Sequence, residues 1–244
     1  MYHLSCGEIW GGIRNCDGDV ASEGLTASLY SVASDGGKGG DIYYLSLCEN
    51  NMLTRMILAD VVGHGEEASK ISTYIYEAIK LHMNDTAGDE FLSELNRTAL
   101  KIGLDALTTL VMAAFYKVNG TLYFANAGHP PPLIKQKDES NWLELKLTKG
   151  ANDPVLGYSQ ANYTQRAIRV NSGDCLFLYS DGLIEANNKE KELFSVKRLK
   201  ELLKQHPDAP PPELKHIIID KIHRYSGGSL NHDDVTVMIA LIDN

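Results

Sequence analysis

The 244-residue chain is long enough for one large domain, and 43% apolar with 23% charged residues predicts a sizeable core rather than disorder. Its formal net charge of −9 argues against a nucleic-acid partner, which would need basic patches, and against binding to an anionic membrane surface. The four cysteines, Cys6, Cys16, Cys48 and Cys175, show no C-x-x-C spacing, which disfavours a zinc ribbon and suits free thiols in a reducing cytosol.

Targeting signals are not visible in the sequence. The opening MYHLSCGEIWGG lacks a basic segment followed by an apolar run, so no signal peptide is expected. The most apolar stretch, 107–116, is too short to span a bilayer. These features predict a cytoplasmic protein with no membrane partner.

The first half of the chain predicts strands followed by two helices. The first forty residues predict one edge strand and a loop over 35–40, and strands follow over 42–49 and 52–60 around a turn at 50–51. Helical spacing of apolar residues predicts a helix over 66–84 and a second over 89–102. Strands over 108–118 and 121–127 flank the hairpin signal Asn119-Gly120.

The second half continues with short strands and another helix pair. The proline-rich AGHPPPLI predicts a loop and a short edge strand, and Leu143, Leu145 and Leu147 alternate as in a half-buried strand. Strands are predicted over 164–170, 175–180 and 235–242, and helices over 195–205 and 211–225. Many strands with helices in two blocks predict an antiparallel α+β protein of two packed sheets covered by helices.

Aspartates stand at the ends of the most apolar predicted strands: Asp41, Asp60, Asp181, and the pair Asp233-Asp234. A turn at 50–51 sets Asp41 opposite Asp60 or makes them close diagonal neighbours, and an antiparallel pairing of the last two strands sets Asp181 beside Asp233. Carboxylates so close together need a positive charge between them. An alternative is that Asp181-Gly182 is only a turn and Asp234 only opens a strand.

A site made only of oxygen ligands suits Mg²⁺ or Mn²⁺ better than Zn²⁺. Two such ions, about 3.5–4 Å apart, can share a water molecule, lower its pKa and direct it at phosphorus. The acidic constellation therefore indicates hydrolysis of a phosphate ester.

Five segments resemble, in order, the stage II sporulation protein E type serine phosphatases of the metal-dependent, type 2C-like superfamily. The segments are GGDIYYL, ILADVVGHGEEAS, LTTLVMAAFYKVNGTLYFANAGHPPPLI, DCLFLYSDGLIEA and NHDDVTVMIALI, and they span 39–241. The resemblance implies a four-layer α/β/β/α sandwich of two antiparallel sheets flanked by helix pairs, with 1–244 forming a single catalytic domain. It also implies a phosphoserine/phosphothreonine hydrolase that uses two Mn²⁺ or Mg²⁺ ions, with a third ion left open.

The resemblance also assigns site residues. Asp60 matches the aspartate that bridges both ions, and the backbone carbonyl of Val61 follows it. Asp181 and Asp233 match ligands of the second ion, Asp41 matches an aspartate close to the metals, and Asp234 is either a ligand or a neighbour. Catalysis is therefore expected to depend on Asp60, Asp181 and Asp233.

The sequence departs from the family pattern at two places: Tyr44 stands where an acid is usual, and Pro130 stands where Asn is usual. Arg14 is a candidate for the phosphate-binding arginine of animal relatives by position only. His64 and His129 are candidate general acids, but a structural role is preferred for both.

Three functions remain open at this stage: a protein phosphatase, a non-catalytic pseudophosphatase that binds a partner, and a hydrolase of small phosphate esters. For the first, the resemblance implies a small phosphorylated anti-sigma-factor antagonist as the substrate. An activating partner is predicted to dock on the helices at 66–84 and 89–102, which flank the metal loop.

Overall fold

A computed structural model describes residues 6–22, 24–34, 36–48, 52–63, 65–83, 87–146, 153–228, 230 and 232–243. The strands in these ranges are β1 (Cys6–Arg14), β2 (Cys16–Ser22), β3 (Leu25–Val32), β4 (Lys38–Cys48), β5 (Leu53–Val61), β6 (Thr108–Tyr116), β7 (Thr121–Ala127), β8 (Leu133–Lys135), β9 (Leu143–Glu144), β10 (Gln165–Arg169), β11 (Cys175–Tyr179) and β12 (Val235–Ile242). The helices are α1 (Gly65–His82), α2 (Gly88–Ile102), α3 (Asp181–Glu185), α4 (Ser195–Lys204) and α5 (Pro211–Tyr225).

Local sequence chemistry accounts for several helix ends. Helix α1 has Glu66 and Glu67 in its first turn and Lys80 and His82 in its last, so its charges complement the helix dipole. Helix α5 has proline at its first position, where a missing N–H costs nothing.

The first of two compact units contains Met1–Ile13, Lys38–Pro131 and Lys146–Arg169. Its sheet has the order β1-β4-β5-β6-β7-β10, and the pairs from β4 onward are antiparallel. Alternate residues of β4 and β5, including Ile42, Tyr44 and Ile57, form one buried cluster with Ile75 and Phe91 of α1 and α2. The two helices therefore cover one face of this sheet.

The second unit contains Arg14–Gly37, Pro132–Leu145 and Val170–Asn244. Its sheet has the order β2-β3-β12-β11-β8-β9, and all its neighbouring strands are antiparallel. Phe177 and Tyr179 of β11 and Val237 of β12 share a buried cluster with Leu199 of α4 and Ile218 of α5. A second sheet thus has its own helix layer.

The predicted α+β class with antiparallel sheets is confirmed, and several element boundaries need correction. The first forty residues form three strands and the start of β4 rather than one edge strand and a loop, since 38–40 is already β-strand. The strand at Leu143 has two residues, and β8 lies inside its sheet rather than at the edge. The predicted turn at 50–51 and Leu147 lie outside the described residues.

Two further observations concern the cysteines and membrane spans. Cys48 is disulfide-bonded, whereas Cys16 and Cys175 are thiols outside any disulfide, so the expectation of four free thiols is wrong. In the described part of the chain, no helix is both long and apolar enough to cross a membrane.

The edge strand β2 is tied to α5 by a buried lysine. Lys215 is 1% exposed, and its ammonium donates to Asp17 at 2.5 Å, to Asp19 at 3.0 Å and to the carbonyl of Gly18 at 3.3 Å. Burial alone would raise the pKa of Asp19, but hydrogen bonding and the charge of Lys215 outweigh it and hold that pKa below 3.8. Burial opposes the charge of Lys215, yet the two aspartates raise its pKa above 10.5.

We expect Lys215→Met to lower the free energy of unfolding at pH 7 by about 1–2 kcal/mol, because both carboxylates are half exposed and water partly replaces the lost bonds. This difference in the free energy of unfolding should persist between pH 3.8 and pH 10.5, the ordinary pKa values of Asp and Lys. It should shrink as the pH falls below 3.8 and Asp19 becomes protonated, and as it rises above 10.5 and Lys215 is deprotonated. Urea unfolding across pH measures this effect.

Lys221→Met, at an exposed position of the same helix, is the matched control and should leave stability within about 0.5 kcal/mol of wild type. An equal loss in both variants, or a Lys215→Met effect that does not change at low pH, would show that the ion pairs contribute nothing.

Candidate functional site

In the first unit, Asp41 and Asp60 face each other across a strand pair. They are direct partners in the antiparallel register of β4 and β5, as the predicted turn requires. Both lie on the sheet face opposite the helices, because Ile42 and Ala59 beside them point into the helix-facing cluster. Asp41 is 4% exposed. Opposed residues have Cβ atoms about 4.5–5.5 Å apart, so two ionised carboxylates here repel each other unless a cation intervenes.

The backbone segments that carry these two aspartates pack closely against each other at Gly40. A Cβ added to Gly40 would lie 2.7 Å from the carbonyl oxygen of Val61 and 3.2 Å from Oδ1 of Asp60. The side chain of Val61 is fully buried in the helix-facing cluster, which fixes its backbone. Only glycine at position 40 leaves this carbonyl and carboxylate accessible beside Asp41.

Ser72 was not predicted as a site residue. It is fully buried in α1, and its hydroxyl oxygen lies 2.8 Å from the carbonyl of Ala68 and 3.1 Å from that of Gly40. The hydroxyl can therefore hold the start of β4 against α1. A serine among the apolar positions of a predicted helix was the available sequence signal.

In the second unit, Asp181, Asp233 and Asp234 lie at the same end of an antiparallel strand pair. Tyr179 of β11 is paired with Val237 of β12, so Asp181 follows one strand where Asp233 and Asp234 precede the other. An added Cβ on Gly182 would overlap the carbonyl oxygen of Asp234 and come within 3.2 Å of Cβ of Asp233. The glycine of the Asp-Gly pair is thus required for close approach, and Asp181 begins helix α3 instead of forming a simple turn.

The carboxyl groups of Asp181 and Asp233 both have raised pKa values. For Asp181, burial is the main cause, with repulsion from Glu185 and Asp234 adding to it and backbone N–H groups opposing it. For Asp233, burial is again the main cause; the Asp234 N–H opposes the rise, and the charges of Asp181 and Asp234 add to it. Both carboxylates would be stabilised by a bound cation.

Asp234 is held by a hydrogen-bonded network that was not predicted. Its Oδ1 accepts from the N–H of Ser34 at 2.8 Å, and its own N–H donates to Oδ1 of Asp233 at 2.8 Å. Beside it, the hydroxyl of Ser180 accepts from the N–H of Thr236 at 2.9 Å, and Thr236 Oγ1 lies 2.9 Å from Oγ of Ser31. The available signal in the sequence was that Ser31, Ser180 and Thr236 stand in or directly beside strands with many apolar residues.

The remaining candidates are His129, Arg14 and His64. His129 is buried and bonded to two strands: its N–H donates to Asn126 Oδ1 of β7 at 2.8 Å, and Nδ1 lies 2.8 Å from the hydroxyl of Thr109 in β6, the cross-strand partner of Asp60. These contacts support the preferred structural role. Arg14 is exposed at the end of β1, and His64 lies outside the described residues.

Tyr44, which replaces a usual acid, points to the helix side of its sheet. It packs at a tilt against Tyr76, with ring centroids 6.5 Å apart, and belongs to the buried cluster. The departure therefore lies on the face opposite Asp41.

The donor set of each unit suits a hard cation, since it offers carboxylates and a carbonyl rather than thiolates or imidazoles. Gly40 leaves the Val61 carbonyl and the Asp60 carboxylate accessible, and the pKa values of Asp181 and Asp233 are raised. Both observations fit the binding of such a cation. Within the ranges described, no group of three or more His, Cys, Asp or Glu side chains is arranged so that it could hold a metal. The ligand roles of Asp41, Asp60, Val61, Asp181, Asp233 and Asp234 stay predictions.

Comparison with known proteins identifies relatives. The family model described as Stage II sporulation protein E (SpoIIE) matches residues 51–243. The chain is 23% identical over 214 residues to phosphoserine phosphatase RsbP of Bacillus subtilis (strain 168), covering 85% of this chain and 49% of that protein. The chain spans 49% of the length of RsbP and 19% of the length of a second curated relative, Protein IcfG of Synechocystis sp. (strain ATCC 27184 / PCC 6803 / Kazusa).

Solved structures share the fold. The RsbU and RsbW domains of Rv1364c from Mycobacterium tuberculosis match with a TM-score of 0.80 and 23% identity, over 94% of this chain and 63% of that chain. The SiaA-PP2C domain of Pseudomonas aeruginosa matches with a TM-score of 0.78 and 19% identity, over 89% of this chain and 86% of that chain. At these identities the likeness establishes the fold.

We expect Gly40→Ala to lower the free energy of unfolding by about 1–3 kcal/mol, because the new methyl group must displace the Val61 carbonyl. It should also weaken Mn²⁺ binding measured by calorimetry. Gly7→Ala is the matched control, since a Cβ there meets only an ordinary contact at 3.8 Å. If the two variants have the same free energy of unfolding and the same Mn²⁺ affinity, close packing at Gly40 is needed for neither.

Proposed function

Because the chain belongs to the stage II sporulation protein E family of metal-dependent protein phosphatases, we propose that it hydrolyses phosphoserine or phosphothreonine in a protein substrate. Residues 1–244 would act as a single catalytic domain. The observation that carries the proposal is the facing pair Asp41 and Asp60, with the Val61 carbonyl left accessible by Gly40. The name of the related RsbP, a phosphoserine phosphatase, supports the same chemistry.

The proposed ligand set has one group in each unit. In the first, Asp60 and the Val61 carbonyl would be direct ligands, and Asp41 would stand beside them. In the second, Asp181 and Asp233 would be ligands, and Asp234 a ligand or neighbour. We propose two Mn²⁺ or Mg²⁺ ions, because these cations prefer oxygen donors, and leave a third open.

When bound, divalent cations supply a water molecule of lowered pKa and neutralise the charge of the phosphoryl group. The chain itself holds the ligand groups in place. The strand register fixes Asp41 and Asp60, the buried side chain of Val61 fixes its carbonyl, and the Ser34 N–H orients the carboxylate of Asp234. Carboxylates held this way need little reorganisation during the reaction.

We propose that the substrate is a small phosphorylated regulator in bacterial signalling, such as an anti-sigma-factor antagonist. One structural relative contains domains named RsbU and RsbW in a single structure, and another relative is RsbP. The proposal rests on the similarity of this chain to these relatives. A phosphorylated peptide from such a regulator is the direct substrate to test.

Two other functions lead to different measurements. A pseudophosphatase would bind a phosphoprotein without turnover, yet every aspartate that the resemblance assigns to the metals is present here. A small-molecule phosphatase would hydrolyse free phosphate esters but discriminate poorly among phosphopeptides, since specificity lies in loops rather than in the fold.

We expect release of phosphate from a phosphoserine peptide with Mn²⁺, and its loss on chelation. Asp181→Asn should lower turnover about 100-fold or more, because removing a carboxylate ligand forfeits several kcal/mol of metal-based stabilisation. Asp105→Asn, at an exposed aspartate outside both groups, is the control and should retain wild-type turnover.

Calorimetric titration with Mn²⁺ separates the possible failures. Binding without turnover would support the pseudophosphatase, and the absence of binding would exclude the proposed metal site. Turnover of an aryl phosphate without any turnover of phosphopeptides would favour the small-molecule phosphatase.

We also propose that an activating partner docks on α1 and α2 and shifts the enzyme toward a metal-competent state. Helix α1 exposes two large apolar side chains seven residues apart, and so on one face: Tyr74, 65% exposed, and Leu81, 75% exposed. Large exposed apolar groups on a shared face are typical of interaction surfaces.

If these helices control the metal site, Tyr74→Ser and Leu81→Ser should each change the Mn²⁺ concentration for half-maximal activity by about 2- to 30-fold. Val118→Ser, at an equally exposed apolar residue in the short 3-10 helix Lys117–Asn119, is the control and should change nothing. Maximal wild-type activity with saturating Mn²⁺ and no response to either α1 substitution would refute the docking proposal.

A further inference from the structure

Thr109 and His129 stand at the end of a row of polar side chains that crosses the first sheet. In the strand register, Asp41 of β4 is the partner of Asp60 in β5, and Asp60 is in turn the partner of Thr109 in β6. Leu110, next to Thr109, belongs to the helix-facing cluster, so Thr109 points to the same face as the two aspartates. Three neighbouring strands therefore place two carboxylates and one hydroxyl side by side.

The hydroxyl of Thr109 is hydrogen-bonded to an imidazole. Its Oγ1 lies 2.8 Å from Nδ1 of His129, which is 3% exposed, whereas Thr109 itself is half-buried. A hydroxyl has one proton to donate, and a ring nitrogen of neutral histidine is a donor in one tautomer and an acceptor in the other. The tautomer of His129 thus decides whether the Thr109 proton is available to a second acceptor.

The backbone of His129 is held on both sides by one amide side chain. Its N–H donates to Oδ1 of Asn126 at 2.8 Å, and its carbonyl accepts from Nδ2 of the same residue at 2.9 Å. Asn126 is itself buried in β7, and Gly128 turns the chain with a φ of 71°, a conformation that favours glycine. These contacts keep the imidazole in place beside the Thr109 hydroxyl.

Asp60 is the acceptor that the register sets beside Thr109. Directly opposed residues of antiparallel strands have Cβ atoms about 4.5–5.5 Å apart, a separation that a hydroxyl and a carboxylate oxygen can span with one hydrogen bond. When Nδ1 of His129 carries the ring proton, it donates to Thr109 Oγ1, and the hydroxyl proton can then be donated to the Asp60 carboxylate. Two hydrogen bonds in series would orient that carboxylate.

We propose that Thr109 and His129 are positioning residues that orient the carboxylate of Asp60 for the metal. The inference rests on the proposed function, because it concerns a group that the phosphatase chemistry would use. Carboxylates that bind metals are themselves hydrogen-bonded, and losing such an outer partner weakens metal affinity about 10- to 100-fold. In this role His129 acts only through Thr109, and it is neither a metal ligand nor a general acid.

Substitutions at the two positions separate hydrogen bonding from shape. Thr109→Val keeps the shape and removes the hydroxyl, and it should raise the Kd for Mn²⁺ about 10- to 100-fold in calorimetric titration of the full chain. Thr109→Ser keeps the hydroxyl and should stay within about threefold of wild type, below the range for a lost partner. His129→Leu should behave like Thr109→Val, whereas His129→Asn, whose amide nitrogen can donate in place of Nδ1, should recover part of the affinity.

Two hydrogen bonds in series also predict that the substitutions are not additive. In the double variant Thr109→Val/His129→Leu, Mn²⁺ affinity should fall no further than in Thr109→Val alone, because His129 acts only through that hydroxyl. Thr54→Val is the matched control, since Thr54 lies on the same strand and face as Asp60 but roughly 20 Å along it. It should keep Mn²⁺ affinity within about twofold of wild type, as expected for a distant and independent site.

A measurement without metal distinguishes failure of this inference from failure of the proposed function. With chelator present, Thr109→Val and Asp60→Ala should deviate from additivity by at least about twofold in the equilibrium constant of urea unfolding, because each removes the same hydrogen bond. If the wild type binds no Mn²⁺ while this coupling persists, the metal site is refuted and the positioning contact is supported. Additive effects in chelator, or a wild type that binds Mn²⁺ with Thr109→Val and Thr109→Ser equal in affinity, would overturn the inference.

Discussion

The register of two antiparallel strand pairs is the constraint on which the candidate chemistry depends. Pairing of β4 with β5 places Asp41 against Asp60, and pairing of β11 with β12 places Asp181 beside Asp233. A slip of one residue would turn each carboxylate to the opposite face of its sheet. Such a slip would also bring the apolar side chains out of the helix-facing clusters, so the same hydrophobic burial that stabilises each unit fixes its acidic groups.

Glycines make this arrangement possible where the backbone itself comes closest. Gly40 and Gly182 are the two positions at which an added methyl group would meet the backbone beside the aspartates. Burying these carboxyl groups and bringing like charges together both cost free energy, and burial is the larger cause of the raised pKa values of Asp181 and Asp233. A fold that stabilised only itself would separate these groups, so their proximity favours a role in binding a cation.

The sequence predicted the facing of Asp41 and Asp60 because a two-residue turn between apolar strands leaves one register. It did not predict β2, whose segment CDGDVAS contains aspartates and a glycine that disfavour a strand. Pairing with β3 and the bonds from Lys215 hold that segment in the sheet, and both are contacts between distant parts of the chain. Helix α3 was missed because five residues are too few to produce a periodic pattern. Ser72, Ser34 and Ser180 act through hydrogen bonds to partners that no local pattern specifies.

Two buried lysines show why burial alone does not reveal a residue's role. Lys215 donates to two carboxylates and a carbonyl, so its charge is compensated and ties an edge strand to a helix. Lys135 is only 8% exposed as a whole residue, but water reaches its ammonium. Both residues stand beside apolar neighbours in the sequence, LIK and ELKHI, and nothing in either segment predicts an ion pair. The difference lies in what surrounds each ammonium: two carboxylates and a carbonyl hold that of Lys215 inside the protein, whereas water reaches that of Lys135 and solvates its charge.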